Sequence, residues 1–427
     1  MRPTDIASLI GKKPASPHEV GGDLGQFLTL ADLERRARRA LPRPVFDYLQ
    51  GGADAEESIQ SNVASFRRWD FVPRALQDVS DIDMKTTILG SGHDLPIGLA
   101  PTGYTRLFSA GGEHDVARAA FQHNIPYVLS TMATTAAGDL AGRQPNAHNL
   151  WFQLYVLRDR EQTTRLIEEV SRSGFRVLEL AIDTAVSGNR LRDRRNGFTI
   201  PPRLTTSSVI DIASKPPYWM RMIRQPALTF ANLESTSGGS SVENIGQLFD
   251  NSLTWSDIEW LRGQWHGPLL VKGPLDARDV EIARGLGVDG VHLSNHGGRQ
   301  LDRTIPPVEL VREVRAAVGE DFTIVVDSGV RHGSDVAVAL ALGADAAFIG
   351  RPYLWGLAAA GEPGVVRAIQ ILREELMRTM QLLGMSSVAE LRSEGSRLLR
   401  VRSASGPEWP GRRRPSPRPF SSSEKAP

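Results

Sequence analysis

Residues 269–295 read LLVKGPLDARDVEIARGLGVDGVHLSN. A β-rich run (LLVKG, 269–273) gives way to an amphipathic stretch (DARDVEIARGLG, 276–287), then to a second β-rich run (GVHLSN, 290–295). Strands joined through a helix lie parallel, because the helix provides the crossover that a hairpin turn cannot. The alternation continues in both directions. Upstream lie PIGLAP (96–101), YVLST (127–131), WFQLYV (151–156) and VLELAID (177–183); downstream lie FTIVVDSG (322–329) and AAFIGR (346–351). Helical stretches such as DVARAAFQHN, REQTTRLIEEVSRSG and SDVAVALALG separate most of them. Eight such runs predict a closed (β/α)8 TIM barrel rather than an open doubly wound sheet. The irregular connection, 184–268, is too long for a βα loop and predicts a functional insertion after strand 4.

The chain has 427 residues, 50 basic against 49 acidic, a formal net charge of +1 that gives no reason to expect nucleic acid as a partner. The absence of cysteine excludes thiol nucleophiles, iron–sulfur clusters, zinc–thiolate sites and disulfides. The start, MRPTDIASLIGKKPAS, lacks an apolar signal core and no apolar run is long enough to span a bilayer, so a cytoplasmic location is expected, in solution or on the inner membrane face. Residues 1–27 read as a loose N-terminus, 28–402 as the barrel unit opening with a helical segment (LADLERRARRALP, after Thr29), and the Pro/Ser/Arg-rich 403–427 as a disordered basic tail.

In such a barrel the chemistry sits where the strands end at their C-terminal edge. The eight ends carry Ala100-Pro101-Thr102-Gly103; Ser130-Thr131; Gln153 and Tyr155; Asp183, followed by Arg190; Lys272-Gly273; Ser294 to Arg299; Asp327-Ser328-Gly329-Val330-Arg331; and Gly350-Arg351. The last two ends combine glycines that admit an anion with the cations Arg331 and Arg351, which predicts a phosphate site. His296 with Asp183 makes an oriented general base, Arg190 and Arg299 a carboxylate clamp, and Lys272 either a stabiliser of negative charge or a Schiff-base amine. His292 and His296 are four residues apart, but on a strand and with no third ligand evident, so no metal is expected.

Ser294-Asn295-His296-Gly297-Gly298-Arg299-Gln300-Leu301-Asp302 closely resembles the active-site motif of the FMN-dependent 2-hydroxy-acid oxidases and dehydrogenases, and the likeness runs from about Ala31 to about Gly384. It includes Val45-Phe46-Asp47-Tyr48, Phe152-Gln153-Leu154-Tyr155, Val271-Lys272-Gly273 and Asp327 to Arg331. The resemblance implies His296 as the base, Asp183 as its partner, and Arg299, Arg190, Tyr48 and Tyr155 around the substrate. It implies Lys272 beside flavin N1 and O2, with Ala100, Pro101, Thr102, Gly103, Ser130, Gln153, Tyr155 and Ser294 around the ring. Asp327, Ser328, Gly329, Arg331, Gly350 and Arg351 are implied for ribityl and phosphate.

The expected reaction is oxidation of an (S)-2-hydroxy acid, mandelate- or lactate-like, to the 2-oxo acid, with electrons passed to a quinone or other carrier. An oxygen-using oxidase producing hydrogen peroxide is the alternative, and a non-catalytic FMN-binding barrel a more distant one. A homotetramer is expected. The chain departs from the family pattern at Ala181, Ala185, Asn189, Met132 and His292, the last in place of an aliphatic residue. Gly103 resembles the glycine of the dehydrogenases, and Gly103→Ala is expected to leave stability little changed. Residues 207–233 mix Ile, Trp, Tyr, Met and Phe with Lys215, Arg221 and Arg224, similar to a membrane-binding segment in this family; a lid over the site or a subunit contact is the other reading.

Overall fold

A computed structural model describes residues 24–144, 148–197, 206–233 and 248–402. The expected tail 403–427 and most of 1–27 lie outside the described residues. Eight parallel strands close into a barrel: β1 (Ile97–Leu99), β2 (Tyr127–Ser130), β3 (Leu150–Leu154), β4 (Val177–Ala181), β5 (Leu269–Gly273), β6 (Gly290–Leu293), β7 (Thr323–Val326) and β8 (Ala346–Ile349). β8 pairs with β1 through Ala347–Ile97 to Ile349–Leu99, which completes the ring. Each strand falls within a β-rich run of the sequence, except that β3 starts one residue ahead of its run, at Leu150. Buried on both faces, the strands are near-continuously apolar, as a parallel sheet requires.

The connection after β4 is shorter as an insertion than 184–268 implies. Its last part, Ser256–Gln264, is the barrel's own helix, burying Ile258 and Leu261. Among the described residues, the excursion before it contains three short helices, Leu191–Arg195, Thr206–Ala213 and Pro216–Ile223.

Before the barrel come helices Leu30–Ala40, Arg43–Gln50 and Glu57–Phe66. The first begins as its sequence predicts, with Thr29 and Asp32 forming a capping box. The third has no local cap: Glu56 at its start is left-handed, with φ 63°. Asp302, far along the chain, substitutes by accepting the backbone N–H groups of Ala55 (3.1 Å), Glu57 (3.2 Å) and Ser58 (2.8 Å). Asn62 on this helix then exchanges two amide hydrogen bonds with Asn295, at 2.8 and 2.7 Å. The turn after β6 is thereby fastened to the N-terminal helices.

Partial burial opposes the charge on Asp302, but the N–H groups of Ser58 and Glu57 outweigh it and hold the carboxyl below its ordinary pKa. Its stabilising contribution is therefore full above the unfolded-state pKa and is lost as pH falls through the depressed folded value. Asp302→Ala should cost about 1–2 kcal/mol at neutral pH, as loss of a helix cap does, with the deficit shrinking in acid. Urea denaturation of both proteins at neutral and acidic pH measures this; a pH-independent deficit would contradict the capping role.

Candidate active site

The strand ends open into one cavity of about 680 Å³ lined by residues of the strands or of the turns that directly follow them. Its walls include the sequence-predicted residues except Ser294, whose side chain is used beneath it, and Asp183, which stands behind His296. His296 lies in a turn with φ 58°, followed by Gly297 at 63° and Gly298 at 75°. Three successive left-handed residues project the imidazole inward. Its Nδ1 is 3.2 Å from both Asp183 oxygens, so Nε2 is the nitrogen left for a substrate. Burial raises the Asp183 pKa, but His296 and then Lys272 outweigh it, keeping the carboxylate ionised.

Arg299 is anchored from behind. Its Nη1 donates to the carbonyls of Tyr48 (2.8 Å) and Gly51 (2.9 Å), and its plane lies 5.0 Å over the Tyr48 ring. Burial and the nearby Arg190 push its pKa down to about 10. Arg190 lines the cavity with its Nε buried and without a partner among the described residues. Sequence reading missed Asp193, which also lines the cavity and interacts with Arg299 and Arg190; burial raises its pKa. The available signal was a carboxylate three residues after Arg190, on the short helix Leu191–Arg195. Asn189, in contrast, is turned to the N-terminal loop, donating to Asp54 Oδ1 at 2.7 Å.

Gln153 accepts from Ser130 through Oε1 (2.8 Å) while its buried Nε2 lacks a partner among the described residues. Such a donor, aimed into a cavity, suits a ring carbonyl. Lys272 is buried and donates to Ser294 Oγ at 2.7 Å. Burial opposes its charge, but Asp327, Asp183 and Glu179 raise its pKa, so a neutral Schiff-base amine is disfavoured. Ser328 Oγ donates to Asp327 Oδ1 (2.6 Å) and accepts from Gly297 N (3.0 Å). Ser294 and Ser328 thus brace the site with their hydroxyls.

At the β7 and β8 ends, Gly329 has φ 110°, and a Cβ there would lie 2.2 Å from the Asn62 carbonyl oxygen. Gly350, open to space, precedes the helix Arg351–Ala360. Arg331 packs 5.0 Å over Trp355 and is pushed down to about 10 by burial. Arg351 donates to the Gly297 and Gly51 carbonyls, both at 2.8 Å, and its pKa is driven well down by burial and by Arg299 and Arg331. A buried cation pushed down by neighbouring cations, beside a helix N-terminus, is relieved by an anion, and these residues fit a phosphate-bearing cofactor.

The FMN-dependent dehydrogenase family model matches residues 37–398. A putative L-lactate dehydrogenase of Mycobacterium tuberculosis is 44% identical over 86% of this chain and 88% of its own. The (S)-mandelate dehydrogenase of Pseudomonas putida is 39% identical over 86% and 92%. A crystal structure of the monotopic membrane protein (S)-mandelate dehydrogenase superposes with a TM-score of 0.83 at 36% identity, covering 88% of this chain and 99% of that one. The chain belongs to the FMN-dependent dehydrogenase family, and its cofactor is FMN.

Arg331→Met should keep the fold and weaken FMN retention about 10- to 100-fold, the worth of one charged hydrogen bond. Titration of apoprotein with FMN, followed by quenching of flavin fluorescence, measures it; unchanged affinity would remove Arg331 from the phosphate site.

Proposed function

We propose that this family member oxidises an (S)-2-hydroxy acid, mandelate- or lactate-like, to the 2-oxo acid and passes the electrons to a quinone or other carrier. The observation that carries the reading is His296, held by Asp183 at 3.2 Å in a cavity that also presents Arg190 and Arg299. FMN, when bound, supplies the two-electron acceptor. Arg190 and Arg299 would bind the substrate carboxylate, Arg190 through the Nε that now lacks a partner. His296 Nε2 takes the proton that leaves the substrate, and Asp183 stabilises the imidazolium and fixes its tautomer. Tyr48 and Tyr155 flank the hydroxy-acid head, Tyr155 held against Phe249 with ring centroids 4.7 Å apart. Lys272 would stand beside the pyrimidine end of the ring, where its charge would stabilise the reduced form.

The substituent pocket is aromatic and apolar, formed by Met132, Tyr104, Phe108 and Phe230, with Tyr104 and Phe230 packed edge to face at 4.5 Å. This supports an aryl or alkyl side chain on the acid. Gly103 supports the carrier reading, as the resemblance implies. Its φ lies outside the left-handed region, but an alanine Cβ would lie 2.9 Å from Met132 Cβ and 3.2 Å from its carbonyl oxygen. The structure therefore revises the expectation of little change: Gly103→Ala would have to move the chain at Met132.

The reading is tested in one anaerobic series. (S)-Mandelate and L-lactate should bleach the flavin, and His296→Asn should retain FMN but slow bleaching about 10³-fold, the worth of a positioned base. Reduced protein should reoxidise faster with a quinone analogue than in air. Bleaching of His296→Asn at the wild-type rate would dismiss the base; reoxidation by oxygen as fast as turnover would make the enzyme an oxidase.

Among the described residues no helix is long and apolar enough to cross a membrane. We place a peripheral membrane contact on the inner face at the helices Thr206–Ala213 and Pro216–Ile223. Val209, Ile210, Met220 and Ile223 are exposed there by 52, 66, 46 and 74%, beside Lys215, Arg221 and Arg224. The patch is fixed to the barrel rather than free: Tyr218 Oη donates to the Leu107 carbonyl (3.0 Å) and Lys215 Nζ to that of Arg39 (2.9 Å). Apolar residues ringed by cations suit an anionic headgroup layer. Sedimentation with anionic vesicles should carry the protein down, and Ile210→Asp/Ile223→Asp should release it; indifference of wild type to vesicles favours the lid.

A further inference from the structure

His292 and Glu179 fill the middle of the barrel, one layer beneath the cavity, and have no part in the chemistry above. Both are completely buried. His292 Nδ1 is 2.7 Å from Glu179 Oε2, and Nε2 is 3.2 Å from Asp327 Oδ2. That same Asp327 oxygen is 3.4 Å from Lys272 Nζ. The four charged side chains form a chain across β4, β6, β7 and β5: Glu179, His292, Asp327, Lys272. Below them the interior is apolar, with Trp151, Leu270 and Val325, and the His292 ring packs edge-on to Phe348, which reaches the cavity, at 5.1 Å.

Nδ1 is hydrogen-bonded to Glu179, and Nε2 lies within ion-pair distance of Asp327 without the alignment of a hydrogen bond. Two carboxylates beside one buried ring favour the imidazolium over either neutral form. Burial opposes that charge, but Glu179 and Asp327 outweigh it and raise the His292 pKa. Stability does not explain the pair, because well-packed apolar residues usually replace a buried ion pair at no loss. A second carboxylate and a second cation under Lys272 have an electrostatic consequence.

We propose that Glu179 and His292 are positioning residues that set the charge Lys272 presents to FMN, His292 sharing the Asp327 carboxylate so that the ammonium is only partly neutralised. The inference rests on the reading that Lys272 stands beside the flavin ring. With His292 charged, the four groups sum to zero. Removing Glu179 leaves a net positive layer under the ring and favours the reduced anionic flavin; removing His292 leaves a net negative layer and disfavours it.

The variants Glu179→Gln and His292→Gln and the double variant Glu179→Leu/His292→Leu separate this from a packing role. The readouts are the two-electron midpoint potential of the bound flavin, measured by dye equilibration, and the sulfite dissociation constant. E179Q should shift the reduction equilibrium about tenfold toward the reduced form, about 30 mV upward, and H292Q should shift it about tenfold the other way. Sulfite should bind correspondingly tighter and weaker. The double variant, which leaves Lys272 wholly paired with Asp327, should fall below wild type by less than H292Q does. Shifts of the same sign, or none beyond about threefold with FMN bound, would overturn the proposal. If neither single variant folds, a double variant with the wild-type potential also overturns it. A wild-type protein whose flavin does not respond to sulfite or substrate would count against the ring site itself.

Discussion

Eight parallel strands closed on themselves leave an interior that side chains must fill, and only the last inward position of each strand can reach a ligand. That constraint sorts the chain by depth. Trp151, Val177, Leu270 and Val325 close the lower part of the barrel. Glu179 and His292 come next, and Ser130, Gln153, Lys272 and Asp327 meet the cavity. Because inward positions recur at every second residue, Val177, Glu179 and Ala181 of β4 each occupy a different layer. A strand one residue out of register would put Leu180 in the charged layer.

That regularity made the catalytic strand ends legible in the sequence. The alternation of strand and helix assigned depth, and depth placed His296, Asp183, Lys272 and Asp327 around one mouth. What stayed hidden is held by contacts between residues distant in the chain. Asp302 caps a helix that begins at Glu57, Asn295 pairs with Asn62, and Arg299 and Arg351 both use the Gly51 carbonyl. No local pattern around Gly51 or Asn62 announces such partners. The barrel helix Ser256–Gln264 was absorbed into the insertion for a related reason: it buries only Ile258 and Leu261, a face too narrow for a strong helical period.

The two ends of the site use charge in opposite ways. Around Lys272, the Lys272 and His292 side chains are balanced by Glu179 and Asp327, which makes a dipolar layer beneath the cavity. At the phosphate end Arg331 and Arg351 lie close together, and burial, Arg299 and Arg331 push the Arg351 pKa down. The uncompensated end favours an anion for binding, whereas the compensated end leaves small displacements of charge free to act on reactivity. Affinity and reactivity are thereby separated along the cavity.

The catalytic turn joins these ends. Three left-handed residues in succession, one of them a histidine, carry strain that must be held by the surroundings. Their backbone N–H groups are each caught by a side-chain oxygen: His296 N by Ser294 (3.0 Å), Gly297 N by Ser328 (3.0 Å) and Gly298 N by Asn295 (3.2 Å). The carbonyls are held as well, Gly297 O by Arg351 and Gly298 O by Ala53 N at 2.9 Å. Ser294 Oγ also accepts from Lys272, and Ser328 Oγ donates to Asp327, so the oxygens that fix the base belong to the charged layer below it. Arg351 ties the same turn to the phosphate end. The turn that carries His296 is thus braced by side chains on both sides, from Ser294 and Ser328 to Arg351.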